Sequence, residues 1–190
     1  MGKKRLSDMT QAELWQLFPI FLTAHRPEWR AWFQEEQRLL KAVLPPEAIV
    51  GISHIGSTAV AGIHAKPIVD MLVETAQDAD WVALDAALCG KGGYICMSRD
   101  AERMSFNKGY TEDGFAERVF HLHLRRAGDN DEMYFRDYLN AHPDVAREYE
   151  RMKLMLWRQF EHDRDGYTAQ KTEFVREYTR RARQEWPGRY

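Results

Sequence analysis

The sequence is short of cysteine, of long apolar runs and of net charge. Only two cysteines, Cys89 and Cys96, occur in 190 residues, and their spacing is not that of a metal site. This points away from a disulfide-built scaffold and toward a reducing, cytoplasmic setting. No apolar run approaches the roughly 18 residues of a membrane span. The opening stretch, MGKKRLSDMTQAELWQLF, is basic, but Asp8, Gln11 and Glu13 interrupt the apolar core a secretory signal needs. Lys and Arg total 27 against 29 Asp and Glu, a formal charge of −2, which argues against a chain built mainly to coat nucleic acid. Repeats, low-complexity tracts and Gly/Ser-rich linkers are missing as well. What remains reads as one domain over 1–190, able to bury about 70% of its unfolded surface without a staple.

Apolar periodicity divides that domain into three textures. Residues 10–43 read as helical, with Thr10 and Glu13 spaced as a capping box. A break at His25-Arg26 is followed by Pro27 in the first turn of a second helix with Trp29, Trp32, Phe33, Leu39, Leu40 and Val43 on one stripe. Residues 1–26 form an N-terminal extension. The middle switches to short runs: strands at 48–55 and 67–74, a helix at 80–88 ended by Gly90, weaker strands at 94–97 and 103–107, and an alternating strand at 119–125. The last strand sets Phe120, Leu122 and Leu124 on one face and His121 and His123 on the other. Residues 130–186 are a helical part, with stripes over 131–141, 143–162 and 168–186, the last two separated at Gly166. Helices, then sheet, then helices predict an α+β fold with a small mixed sheet.

The stretch richest in chemistry is Gly56-Ser57-Thr58, at a strand end, followed by Lys66-Pro67-Ile68-Val69-Asp70. A Gly-Ser turn that opens a short helix offers backbone N–H groups and a hydroxyl to a phosphate. If the strands holding His54 and Asp70 pair, a carboxylate returns beside that cradle, as Mg²⁺-nucleotide chemistry requires. The competing reading is a Ser-Thr cap and an ordinary surface Asp.

GSTAVAG…AKPIVD, with FHLHL, FRDYLNAHPDVAREYERMKLML and YTAQKTEF, resembles the GrpB-like family of the nucleotidyltransferase-fold superfamily over residues 27–182. The resemblance implies a small mixed sheet of nucleotidyltransferase-like type bearing the Gly-Ser turn, with N-terminal helices and a C-terminal helical third. It also implies a nucleotide or other phosphorylated ligand. Active members of the superfamily carry Asp-x-Asp or Asp-x-Glu and a third carboxylate that together hold two Mg²⁺ ions. Here Asp70 stands at the first position and Leu72 at the second. Glu74 shares their face but lies about 7 Å beyond position 72, and His121 and His123 stand where a third carboxylate would.

A different divalent site can be drawn from Asp70, His121 and His123, with Glu74 beside them, suiting Zn²⁺, Mn²⁺ or Fe²⁺ better than Mg²⁺. The competing reading is two strand histidines hydrogen-bonded to polar neighbours or to ligand. His54 is a further candidate wall of the cleft. Lys171 shares an apolar face with Tyr167, Phe174 and Tyr178, and Lys153 lies between Tyr149 and Trp157; with Lys66 they would neutralise phosphate, unless they snorkel to water. Arg118 and Arg125 are weaker candidates for the same role. Arg180, Arg181 and Arg183 offer either an RNA contact or a solvated helix face. Two functions follow: nucleotidyl or phosphoryl transfer dependent on a divalent metal, Mg²⁺ first and Mn²⁺ or Zn²⁺ as alternatives, with Asp70 and Glu74 catalytic, or non-catalytic binding of a nucleotide or phosphometabolite.

Overall fold

The computed structural model describes residues 4–190; Met1–Lys3, the start of the expected N-terminal extension, lie outside the described residues. Its elements are α1 (Gln11–Leu17), α2 (Glu28–Val43), β1 (Ile49–Ile55), β2 (Val69–Thr75), α3 (Trp81–Gly90), β3 (Ile95–Arg99), β4 (Arg103–Thr111), β5 (Gly114–Arg126), α4 (Asp131–Ala141), α5 (Pro143–Phe160) and α6 (Arg164–Glu185). The strands form one mixed sheet ordered β1-β2-β5-β4-β3. Only the central β2–β5 pair is parallel; the other neighbours run antiparallel.

Alternation along β2 and β5 decides what each face does. Val69, Met71 and Val73, with Phe120, Leu122 and Leu124, join Trp29, Trp32, Leu40, Leu84 and Leu88 in the main core beneath α2 and α3. The intervening residues, Asp70, Leu72 and Glu74 on β2 and His121 and His123 on β5, must then face the other way. That second face meets the C-terminal helices, which pack on each other through Tyr134, Tyr138, Leu139, Val145 and Tyr149. The chemical residues are therefore sandwiched between sheet and helices by a period-2 pattern alone.

Several boundaries differ from the periodicity. The capping box at Thr10 is present, but α1 ends at Leu17. Residues 18–24 of the expected extension instead run into the body: Ile20 N–H donates to Glu161 O at 2.8 Å, and Thr23 pairs with Ala65. Phe18, Ile20 and Leu22 are buried there, and Pro19 keeps Phe18 out of helical geometry, so α1 stops before the segment. The strands expected at 103–107 and 119–125 are the open-end portions of a longer hairpin, β4–β5, that continues to a turn between Thr111 and Gly114. Gly166 does not separate two helices. It lies in the first turn of α6, where its N–H donates to Asp163 Oδ1 at 2.8 Å, and a Cβ there would meet Asp163 Oδ2 at 2.3 Å and the Phe160 ring at 2.7 Å.

Candidate functional site

Ile55 pairs with Asp70 across the antiparallel β1–β2 ladder, so the Gly-Ser turn that follows β1 faces the first carboxylate of β2. The approach is close. Gly56 has φ 70° and ψ −171°, and a Cβ on it would lie 2.3 Å from Asp70 Oδ2. Glycine is required both by the backbone and by the carboxylate. Ser57–Ala59 then form one turn of 3₁₀ helix, closed by Ala59 N–H to Gly56 O and Val60 N–H to Ser57 O, both 3.2 Å. The earlier amides, on Ser57 and Thr58, stay at the open end of the turn.

Thr58, expected to bind phosphate, is committed to the fold. Its buried hydroxyl donates to Ile68 O at 3.2 Å and accepts from His54 Nε2 at 2.9 Å. His54, expected as a cleft wall, therefore braces the turn from behind, stacked on Phe33 with ring centroids 5.0 Å apart. Burial pushes its imidazole down to about 4, so it stays neutral. Ser57 remains, its hydroxyl hydrogen-bonded with the Tyr149 phenol, which burial pushes up to about 12.

A cavity of about 740 Å³ opens between this turn and the helices, within the usual size range of small-molecule sites. Gly56, Ser57, Asp70, His121 and His123 line its sheet side; Lys66, Lys153, Arg164, Tyr167 and Lys171 line the opposite wall. The expected residues Gly56, Ser57, Thr58, Lys66, Asp70, His121, His123, Lys153 and Lys171 all border one space. Glu74 does not. Two residues farther along β2, it accepts from Gly128 N–H at 3.2 Å and Asn130 Nδ2 at 3.1 Å, holding the loop before α4. The catalytic role expected for Glu74 gives way to that loop-bracing role, because the strand's rise carries it past the cavity.

Asp70 is oriented by a proton-ordered chain. Arg164 Nη2 donates to the Tyr110 hydroxyl at 3.1 Å, and that hydroxyl lies 2.8 Å from His121 Nε2. The ionised Asp70 can only accept, so His121 carries its proton on Nδ1, 3.3 Å from Asp70 Oδ1, which leaves Nε2 of the neutral ring to accept from Tyr110. His123 Nδ1 faces Arg125 Nη2 at 3.4 Å, which turns its Nε2–H toward Asp70 Oδ1 at 3.9 Å. Burial pushes the Asp70 carboxyl up, but the two imidazoles outweigh it and hold the group below the ordinary carboxylate range. Burial, opposed by Asp70, lowers His121 and keeps it neutral. An anion this stabilised is a weak proton acceptor and a firm hydrogen-bond acceptor for a ligand hydroxyl or amine.

That arrangement does not fit the expected metal centre. The ring nitrogens facing Asp70 carry protons, and His121 Nε2 already accepts from Tyr110. Leu72, at the second carboxylate position, is fully buried against Ile55 and Met133. Among the described residues, no three His, Cys, Asp or Glu side chains are placed to hold a metal ion.

The opposite wall is cationic. The amines of Lys66 and Lys171 lie 4.4 and 4.3 Å from the centre of the same Tyr167 ring. Lys153, 2% exposed, donates to His64 O at 2.5 Å and lies 4.8 Å from the Tyr149 ring. Burial, then repulsion from Lys171 and Arg164, pushes Lys66 down to about 7. Burial and Lys171 lower Lys153 to about 7, and burial lowers Lys171 to about 8. The weaker cationic candidates lie elsewhere. Arg118 pairs with Glu35, and Arg125 is buried against Met104 O and Leu124 O. Arg180 and Arg183 border the cavity but are paired there, Arg180 with Glu177 and Arg183 with Asp131 at 2.6 Å; Arg181 pairs with Glu177 on the solvated helix face. Sequence reasoning missed Tyr110 and Arg164. Tyr110 sits in a strand read too short, and Arg164 in a stretch read as a loop.

Among the described residues, no helix is long and apolar enough to cross a membrane. The sequence model of the GrpB protein family matches residues 19–181. A glutamate-rich protein GrpB from Alkalihalophilus pseudofirmus is 33% identical over 163 residues, covering 83% of this chain and 92% of that protein. Two other curated relatives are longer, and the chain spans 48% and 62% of their length. The crystal structure of conserved protein GrpB from Enterococcus faecalis superposes with a TM-score of 0.74 at 27% identity, covering 87% of this chain and 99% of that one. A weaker likeness, TM-score 0.46 at 13% identity over 77% of this chain and 42% of the other, is to a cytoplasmic RNA terminal U-transferase. The chain belongs to the GrpB family.

Proposed function

We propose that the cavity binds a nucleotide or other phosphorylated small molecule. One observation carries this reading: the Gly56-Ser57 turn and Asp70 face, across a single cavity, three lysines that form no ion pair among the described residues. Backbone amides and ammonium groups converging on one space are what a phosphate needs. The apolar lining from Leu22, Ile55, Phe135, Leu139 and Val175 suits the less polar remainder of such a ligand. Asp70, anionic and fixed, would orient a hydroxyl or amine on that ligand.

Within this reading, Leu72 and the proton-bearing histidines favour a protein that binds without carrying out two-metal transfer, as a sensor or partner protein would. The experiment is a thermal-shift panel of nucleoside triphosphates and inorganic pyrophosphate, with and without Mg²⁺, Mn²⁺ and Zn²⁺. Ligand at 100 times its Kd stabilises by about 2.7 kcal/mol, a readily measured rise in Tm. Stabilisation without pyrophosphate release or label transfer supports the binding-only form. Metal-dependent turnover would restore the nucleotidyl- or phosphoryl-transfer form. If no phosphorylated compound shifts Tm, the reading is wrong.

A further inference from the structure

The sheet side and the helix side of this cavity differ sharply in what they offer a phosphate. On the sheet side, one carboxylate is already bound by two imidazoles, and Leu72 seals the next position with Ile55 and Met133. On the helix side, the Lys66 and Lys171 amines both lie against the Tyr167 ring, and Lys153 donates to a carbonyl. Among the described residues none of the three forms an ion pair; Asp70 attracts Lys66 and Lys171, and Glu150 attracts Lys153, only at longer range. Bringing ammonium groups together out of water without counter-ions is costly, and the cost falls when the amines lose protons or an anion arrives.

We propose that the cavity takes its phosphorylated ligand as the free polyanion, with Lys66, Lys153 and Lys171 supplying the positive charge that divalent ions supply in two-metal sites. This rests on the phosphate reading above and narrows it to the uncomplexed form of the ligand. A Mg²⁺ chelate brings less negative charge and a hydrated cation to a wall that is already cationic, so Mg²⁺ competes with the protein for the ligand.

Proton uptake follows from the surroundings. The groups facing the lysines are Asp70 from β2, His121 and His123 from β5, Tyr149 and Glu150 from α5, and Arg164 and Tyr167 from α6; Asp131 and Glu132 from α4 and Arg176, Arg180 and Arg183 from α6 border the same cavity. Asp70 is the one carboxylate of that set on the cavity floor, and it is engaged by His121. Free amines here are therefore partly deprotonated near neutral pH, and a bound polyanion restores their protons. Affinity then rises as pH falls from about 9 toward about 7.5.

The test is calorimetric titration of inorganic tripolyphosphate into the full chain near pH 8, in EDTA and in excess Mg²⁺, using two buffers of different ionisation enthalpy. The expected result is binding in EDTA, weakening on Mg²⁺ addition, and a buffer-dependent heat showing proton uptake. Lys171→Gln weakens binding by more than about tenfold. Lys66→Gln, on the loop before β2, reads the same loss should the α6 variant fold poorly. Binding that requires Mg²⁺, or is equally tight with and without it, overturns the proposal and leaves the phosphate reading standing. Binding in EDTA without proton uptake overturns the part assigned to the lysines. Failure of tripolyphosphate, pyrophosphate and nucleoside triphosphates to bind under every condition overturns both.

Discussion

Gly56→Ala tests the contact on which the site is built. The native backbone, φ 70° and ψ −171°, lies in a region that is essentially glycine-only, at about 1–3 kcal/mol for another residue. The new methyl would also stand 2.3 Å from Asp70 Oδ2 and 2.9 Å from its Cγ. Asp70 cannot swing away without leaving His121, so the crowding adds about 1–3 kcal/mol. Together the substitution costs about 2–6 kcal/mol. In an Asp70→Ala background the carboxyl atoms are gone, and only a 3.0 Å contact with the Asp70 Cβ position remains. There the cost falls to the backbone share. Urea unfolding of wild type, both single variants and the double variant gives the coupling directly, expected at about 1–3 kcal/mol. Additive costs would refute the claim that turn and carboxylate meet.

Other substitutions separate the remaining roles. The Lys153 amine, lowered to about 7 from an ordinary value near 10.4, costs the unliganded fold up to about 4 kcal/mol at pH 7.5. The unfolded chain holds a proton there that the folded chain gives up, so stability from this group rises with pH between about 7 and about 10. Lys153→Met should stabilise the unliganded protein at neutral pH and flatten that rise; chemical denaturation across pH shows whether it does. His121→Phe removes a donor that keeps Asp70 ionised. Stability that wild type holds above the ordinary Asp range near 3.9 and loses as pH falls should shrink in the variant, with the Asp70 carboxyl shift in NMR moving to higher pH. Glu74→Ala should cost about 1–3 kcal/mol by stranding Asn130, with ligand affinity unchanged; a loss of affinity at equal folding would return Glu74 to the site.

Much of the site was legible because it depends on short-range regularities. Twelve residues between Ser57 and Asp70, with a strand on each side, are enough to bring turn and carboxylate together once β1 and β2 pair. Alternation in VFHLHLR likewise places both histidines opposite Phe120, Leu122 and Leu124. Lysines four residues after Tyr149 and Tyr167 meet those rings because α5 and α6 have helical pitch. Tertiary demands account for what was not legible. Residues 18–24 leave the helix at Pro19, and the route they then take is set by Glu161 and Ala65, remote in sequence, which offer them hydrogen bonds. Glu74 shares a face with Asp70, but which polar partners wait at the far end of that face is a long-range fact. The reuse of His121 as a donor depends on Tyr110 and Arg164, brought in from a hairpin and a helix start that periodicity places imprecisely.

The most direct measurement is a crystal structure with a non-hydrolysable nucleoside triphosphate bound, grown without divalent metal. The account predicts phosphate oxygens within about 3 Å of the Ser57 amide and of the Lys66 and Lys171 amines, with Asp70 still held by His121. Phosphates bound away from these groups, or reaching the cavity only through a metal on Asp70, would contradict it.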